Sequence, residues 1–134
     1  MKKLFLLLFY CCLQIISFSQ PYDPGKVNKK AQQFFDQAYE RAADGNYANA
    51  LGLLQQAVKT DPRFVDAYLA MGNLYGKMKN YRTSIENYEK AFAIDSNYTL
   101  PERLPYSVNL AGIGEFEKAL AAVNEQIKKK KPNN

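Results

Sequence analysis

Apolar side chains recur every three to four residues along most of the chain, which is the spacing of one face of an α-helix. One such stretch has its apolar residues at Phe64, Tyr68, Met71, Leu74, Tyr75 and Met78. A second follows the polar pair Lys79-Asn80 and has Tyr81, Ile85, Tyr88, Ala91 and Phe92. The pattern predicts two helices of about 12–15 residues that reverse at this pair and pack antiparallel.

Several helix ends are marked by residues with special backbone preferences. Asp61-Pro62 is typical of an N-cap followed by proline at the first helical position. Gly45 is suited to the left-handed conformation that ends a helix. Pro105 would remove a hydrogen bond inside a helix, so we expect a helix to begin there or to kink there, after a longer connection at residues 97–100.

The same helical pair recurs along the chain. A shift of 34 residues places small residues on small ones and aromatic residues on aromatic ones, and a further shift of 35 extends the match into a third unit. Small side chains let two helices approach closely, and rings fill the space beside each contact. The positions expected to hold the repeats together in this way, as packing residues and not as a ligand site, are Ala38, Tyr47, Ala50, Ala57, Pro62, Gly72, Tyr75, Tyr81, Ser84, Ala91, Phe116 and Ala119.

Residues 65–98 resemble one tetratricopeptide repeat, a motif whose usual order is aromatic, Leu-Gly, Tyr, then Gly-x-Tyr, Ala, aromatic, Ala and Pro. The chain supplies Tyr68, Met71-Gly72, Tyr75, Tyr81, Ser84, Tyr88 and Ala91. Residues 31–64 match less closely, and residues 100–131 match in their second half. The resemblance implies an all-α fold at residues 31–131: a right-handed α-solenoid of about three antiparallel helix-turn-helix hairpins, one for each of these segments.

Residues 1–19 have the form of a secretory signal peptide, with Lys2 and Lys3 before an apolar run and a small-x-small pattern at residues 17–19. Cleavage would leave residues 20–30 as an extension that leads into the first helix. An uncleaved anchor is the alternative, but the run of about fifteen residues is shorter than the roughly 20 that span a bilayer. Lipidation at Cys11 or Cys12 is a further alternative. The pattern predicts export to the periplasm or cell envelope of a bacterium, without a stable membrane span after cleavage.

Composition argues against catalysis. The chain has no histidine, and both of its cysteines lie in the predicted leader, so disulfides, thiolate zinc sites and histidine-based proton transfer are excluded from the mature chain. We expect no metal, no cofactor and no enzymatic activity. Twelve basic and thirteen acidic residues remain once the leader and the tail at 128–131 are set aside. Nucleic-acid binding usually needs a clustered excess of basic residues, so we expect no nucleic-acid partner.

The four lysines at residues 128–131 leave three interpretations open: a soluble helix end, a linker to further sequence, or contact with an acidic membrane surface or another polyanion. Residues 132–134 form a short tail. The opening at residues 20–26 and the predicted export are similar to the N-terminal repeats of long bacterial envelope proteins that continue into a β-propeller and an OmpA-like domain. Whether the chain is free-standing or the N-terminal part of such a protein stays open.

The tetratricopeptide resemblance implies a concave groove lined by the first helix of each hairpin, suited to a peptide segment or a partner helix. The candidate groove residues are Gln32, Phe35, Asp36, Tyr39, Asp66, Leu69, Asn73, Lys77, Leu104 and Val108. Relatives that grip the C-terminal carboxylate of heat-shock chaperones place basic and amide residues where this chain has Phe35, Tyr39, Ala70, Pro101 and Pro105, so that clamp is absent. Asn73 and Lys77, one turn apart, either contact a peptide or are solvated surface.

The last predicted helix has no polar capping helix after it. Its residues Leu120, Val123 and Ile127 would then lack a covering partner. We therefore expect this face to meet another subunit, another domain or the preceding segment, and self-association is one outcome.

Overall fold

The computed structural model describes residues 20–130, and these residues form three antiparallel helical hairpins with no β-strand among them. The helices are α1 (Lys29–Ala43), α2 (Tyr47–Thr60), α3 (Val65–Lys77), α4 (Tyr81–Ile94), α5 (Arg103–Gly112) and α6 (Phe116–Lys130). Short 3₁₀ turns at Pro24–Lys26 and Leu100–Glu102 precede α1 and α5. The predicted all-α array of hairpins is confirmed. The predicted leader at residues 1–19 and the tail at 132–134 lie outside the described residues.

Each hairpin reverses at a residue with positive φ. Gly45, Lys79 and Gly114 have φ values of 76°, 60° and 84°, in the left-handed region. The two glycines adopt this conformation without steric cost, whereas Lys79 carries a side chain through the same turn. The predicted role of Gly45 and the predicted reversal at Lys79-Asn80 are both confirmed.

The start of α3 differs from the expectation. The backbone N–H of Asp61 still bonds to Ala57, so Asp61 ends α2, and its carboxylate accepts the N–H of Arg63. This local turn carries the chain past Pro62, which is exposed, and α3 begins at Val65 beside the buried Phe64. The prediction that Asp61-Pro62 starts a helix is therefore wrong.

Pro105 lies in the first turn of α5, which begins at Arg103. The first four N–H groups of a helix have no partner within the helix, so proline is tolerated at this position. The helix thus begins two residues before the expected point. Because the Leu100–Glu102 turn occupies part of the connection, α5 has 10 residues where the other helices have 13 to 15.

Small side chains lie at the close contacts between helices. The repeat positions that are at most 9% exposed are Ala38, Ala50, Ala57, Gly72, Ser84, Ala91 and Ala119, and those that are partly buried are Tyr47, Tyr75 and Tyr81. The hydroxyl of Ser84 donates to the carbonyl of Gly72 over 2.6 Å and accepts the amide of Asn109 at 2.8 Å. A buried polar bridge therefore links α3, α4 and α5.

Phe116 departs from the expected packing role. Its ring is 68% exposed at the start of α6, because no described helix covers that side of the third hairpin. The core of this hairpin is correspondingly small and centres on Ile85, Leu110 and Ala119.

Candidate partner-binding groove

A groove of about 410 Å³ lies between α1 and α3. The α1 residues that line it are Phe35, Ala38, Tyr39 and Ala42. The α3 residues are Asp66, Leu69, Ala70, Asn73, Leu74 and Lys77, and Leu54 of α2 and Glu102 before α5 complete the lining. The groove is therefore formed mainly by the first helices of two successive hairpins.

Six of the ten candidate residues from the sequence meet in this lining: Phe35, Tyr39, Asp66, Leu69, Asn73 and Lys77. The other four do not line it. The amide of Gln32 donates to the carboxylate of Asp36 over 2.8 Å along α1, and Leu104 and Val108 are exposed on α5. From this part of the chain the groove lining contains Glu102, in the turn before α5, and neither of these two residues. Sequence periodicity gives no signal for Glu102, because the corresponding positions of the first two hairpins are already helical.

The carboxylate of Asp66 is held by two phenols at one end of the groove. The hydroxyl of Tyr22 donates to one oxygen over 2.7 Å, and the hydroxyl of Tyr98 donates to the other over 2.8 Å. Burial, followed by these hydrogen bonds, raises the pKa of Tyr22 and raises the pKa of Tyr98 to about 12. The carboxylate is thus fixed by neutral donors that leave its charge in place.

Asn73 connects the groove to the core. Its Oδ1 accepts the hydroxyl of Tyr88 over 2.8 Å, and Tyr88 is fully buried. The carboxyl group of Glu102 has a raised pKa because burial disfavours its charged form, while a hydrogen bond from Asn73 acts in the opposite direction. The side chain of Asn73 is therefore held from the core by Tyr88 and lines the groove together with Glu102.

Acidic side chains outnumber basic ones among the residues that line the groove. Asp66 and Glu102 are its carboxylates, Lys77 is the cation among its lining residues, and none of the three forms an ion pair with another residue of 20–130. Arg103, next to Glu102 in the chain, is directed elsewhere: its guanidinium lies 3.7 Å from the ring centroid of Phe92. No guanidinium lines this cavity.

An N-terminal strap, residues 20–28, binds across the loops that connect the hairpins. The N–H of Tyr22 donates to Asp95 over 3.0 Å, and its ring packs edge-on against Tyr98 at 4.7 Å. The N–H of Asn28 donates to Asp61 over 3.0 Å. The segment predicted as a simple extension thus connects both inter-hairpin loops to α1.

No helix among residues 20–130 is both long enough and apolar enough to cross a bilayer. That part of the chain also brings no three potential metal ligands together.

In the basic tail, Lys129 bonds to Asn97 at 3.1 Å and to Glu125 at 3.5 Å, so this lysine helps to hold α6 against the preceding connection.

Comparison with protein families agrees with this geometry. A family model described as "TPR repeat" matches residues 38–79, and one described as "Tetratricopeptide repeat" matches residues 65–98. The two matches together span residues 38–98. The matched segments cover α2, α3 and α4 and most of the groove lining. No curated protein matches the chain in sequence.

Solved structures with similar folds include two crystal structures of MamA, each 21% identical, with TM-scores of 0.71 and 0.72. The match covers 75% of this chain and 55% and 58% of the MamA chains, so the chain spans little more than half their length. The second TPR of Spaghetti (RPAP3), bound to the HSP90 peptide SRMEEVD, is 14% identical with a TM-score of 0.70. That match covers 74% of this chain and 91% of the other. At these identities the likeness shows that the chains share a fold of helical hairpins.

Proposed function

We propose that the chain is a non-catalytic protein–protein interaction module that binds a peptide segment in the groove between α1 and α3. The observation that carries this proposal is the groove itself, with apolar side chains such as Phe35 and Leu69 along it and polar groups at Asp66, Asn73 and Glu102. A cavity of about 410 Å³ admits a few side chains of a ligand, which suits a short extended peptide better than a whole partner helix. The peptide held by the related fold of RPAP3 supports this use.

The charge of the groove indicates a different ligand from the acidic HSP90 peptide. Asp66 and Glu102 would repel a peptide rich in carboxylates, and no guanidinium is present to bind one. The partly buried Glu102 lacks a cation among the described residues, and a carboxylate in that environment gains from one. We therefore propose that the bound segment carries an apolar residue next to a lysine or arginine.

Selection from a random peptide library displayed on phage tests the proposal with the full chain as bait. Enriched peptides should combine an apolar residue with a nearby cation and should lose binding to Leu69→Lys. The matched control is Val108→Lys, which also replaces an aliphatic residue by lysine but at an exposed site outside the cavity, and which should bind as wild type does. No enrichment, or equal loss in both variants, would refute the groove as the binding site.

We also propose that this module acts in the bacterial cell envelope, from the signal-like pattern of residues 1–19. The alternative within the same setting is an N-terminal adaptor of a larger, envelope-anchored OmpA-like protein. Fractionation of the source cells with an antibody to residues 20–130, followed by mass spectrometry of the N-terminus, tests both. A periplasmic chain that begins at Gln20 is expected; a cytosolic chain that retains Met1 would contradict export, and a much longer product would favour the adaptor.

A further inference from the structure

The third hairpin leaves one apolar helix face uncovered among the described residues. Phe116, Leu120, Val123 and Ile127 of α6 follow one another at intervals of four, three and four residues, which aligns them in a single stripe as in a coiled-coil seam. Phe116, Leu120 and Ile127 are 68%, 63% and 50% exposed. These four residues are referred to here as the terminal face.

The terminal face corresponds to surfaces that are buried earlier in the array. Leu51 of α2 is 7% exposed in one cluster with Met71 of α3, and Ile85 of α4 is 8% exposed in one cluster with Leu110 of α5. Leu120 holds the same repeat position in α6. The face therefore has the residues of a helix–helix contact, and an apolar stripe of this kind marks an interaction surface.

The opposite end of the array does not complement it. The residues of α1 that correspond to the buried Met71 and Leu74 are Gln37 and Glu40, and both are exposed. Packing α1 of one copy on α6 of another would bury these polar groups without partners. Head-to-tail stacking of copies is therefore disfavoured.

We propose that the terminal face pairs with the terminal face of a second copy, with the two α6 helices antiparallel and related by a two-fold axis. This alignment sets Phe116 against the partner's Ile127 and Leu120 against the partner's Val123. The symmetry then repeats both contacts, so all four residues of each copy are covered. The proposal does not depend on what the groove binds.

Charge selects the antiparallel orientation. Glu117 lies in the first turn of α6, and Lys128 and Lys130 lie in its last turn. None of these three forms an ion pair within residues 20–130. Antiparallel pairing places the acidic end of each helix beside the basic end of the other and opposes the two helix dipoles. A parallel pair would bring the two lysine clusters together.

Sedimentation equilibrium of the full chain tests the pairing. We expect a monomer–dimer equilibrium that Leu120→Glu weakens at least about 100-fold, because a charge then replaces a buried apolar side chain twice per dimer. Val108→Glu, at a site 65% exposed on α5, is the matched control and should leave the dimer intact. A chain that stays monomeric at every concentration, a dimer that survives Leu120→Glu, or an open series of oligomers would each overturn the proposal.

Charge reversal tests the orientation. Glu117→Lys and Lys128→Glu should each weaken the dimer by about threefold to tenfold, and the double variant should recover wild-type affinity. A parallel dimer would show no recovery, since each residue would then face its own copy. Both positions are exposed, and far-UV circular dichroism should show the same helix content in all variants.

Discussion

The backbone of Gly72 in α3 lies directly against the ring of Tyr88 in α4. A Cβ atom added to Gly72 would come within 3.0 Å of ring carbons Cδ2 and Cε2. The ring cannot easily withdraw, because Tyr88 is fully buried and its hydroxyl is bonded to Asn73. This contact sets the spacing of the second hairpin and also fixes a polar residue of the groove.

Enlarging Gly72 should therefore destabilise the fold. We expect Gly72→Val to lower the free energy of unfolding by about 1–3 kcal/mol through overpacking against Tyr88. Gly52 in α2 is the matched control, since nothing lies within 4 Å of an added Cβ there. Gly52→Val should stay within about 0.5 kcal/mol of wild type. Urea denaturation followed by circular dichroism measures both, and equal stability of the two variants would contradict the close contact.

Removing the hydroxyl of Ser84 should cost more than an ordinary surface substitution. Ser84→Ala deletes two hydrogen bonds, to Gly72 and from Asn109, and leaves the amide of the 5% exposed Asn109 without that partner. We expect a loss of about 1–3 kcal/mol in the free energy of unfolding.

Thr83→Ala is the control for Ser84→Ala, because the Thr83 hydroxyl bonds to Asn80 on the exposed side of α4. Its expected cost is below about 1 kcal/mol. If both variants melt alike, the buried bridge does not contribute as argued.

The hairpin architecture was predictable because burial recurs with the repeat. Ala50 and Ser84 stand 34 residues apart and both are fully buried, so the requirement for a small side chain is visible in the sequence. The groove residues were predicted from the tetratricopeptide resemblance, and six of the ten candidates line the cavity on the first helices of the first two hairpins.

Sequence reasoning missed the features that depend on contacts found at one place in the chain and not repeated from hairpin to hairpin. Tyr22 reaches Asp95 across 73 positions, and Glu102 lies in a 3₁₀ turn at positions that are helical in the first two hairpins. Phe116 holds the same repeat position as the aromatic residues of the earlier hairpins. A ring at this position is covered only when another helix follows. The Asp61-Pro62 pattern suited a helix start, but the N–H of Arg63 donates to the carboxylate of Asp61 and closes a turn instead.

Replacing Arg103 by lysine should destabilise the third hairpin. Its guanidinium lies over the ring of Phe92, its Nε is 3.3 Å from Glu125, and the residue is 8% exposed. A planar guanidinium both stacks and pairs with a carboxylate, whereas an ammonium does not stack in this way. We expect Arg103→Lys to lower the free energy of unfolding by about 1–2 kcal/mol.

Native-state hydrogen exchange is the informative measurement for Arg103→Lys. Amides of α5 and α6 should lose protection while those of α1 and α2 keep it. The exposed Arg82→Lys is the control and should exchange as wild type does. Uniform loss across all six helices would argue against a local role.

The phenols around Asp66 should make the fold sensitive to alkali. Burial and the hydrogen bond to Asp66 raise the pKa of Tyr98 from 10.0 to about 12, and the pKa of Tyr22 moves in the same direction. The folded chain therefore holds these protons more tightly than the unfolded chain does. The contribution of Tyr98 to stability is complete below pH 10 and is lost as the pH rises from about 10 to about 12, and the contribution of Tyr22 is lost in the same direction.

Urea unfolding at a series of pH values between about 8 and 11 tests this linkage. Tyr98→Phe should be less stable by about 0.5–1.5 kcal/mol at the lowest pH, because one hydrogen bond to Asp66 is lost, and its stability should then decline less steeply with pH. Tyr39→Phe, whose hydroxyl lies on an exposed ring of α1, should keep the wild-type slope. If Tyr98→Phe and wild type decline in parallel, the raised pKa of Tyr98 does not contribute to the alkaline loss of stability, and the bond from Tyr98 to Asp66 does not stabilise the fold as argued.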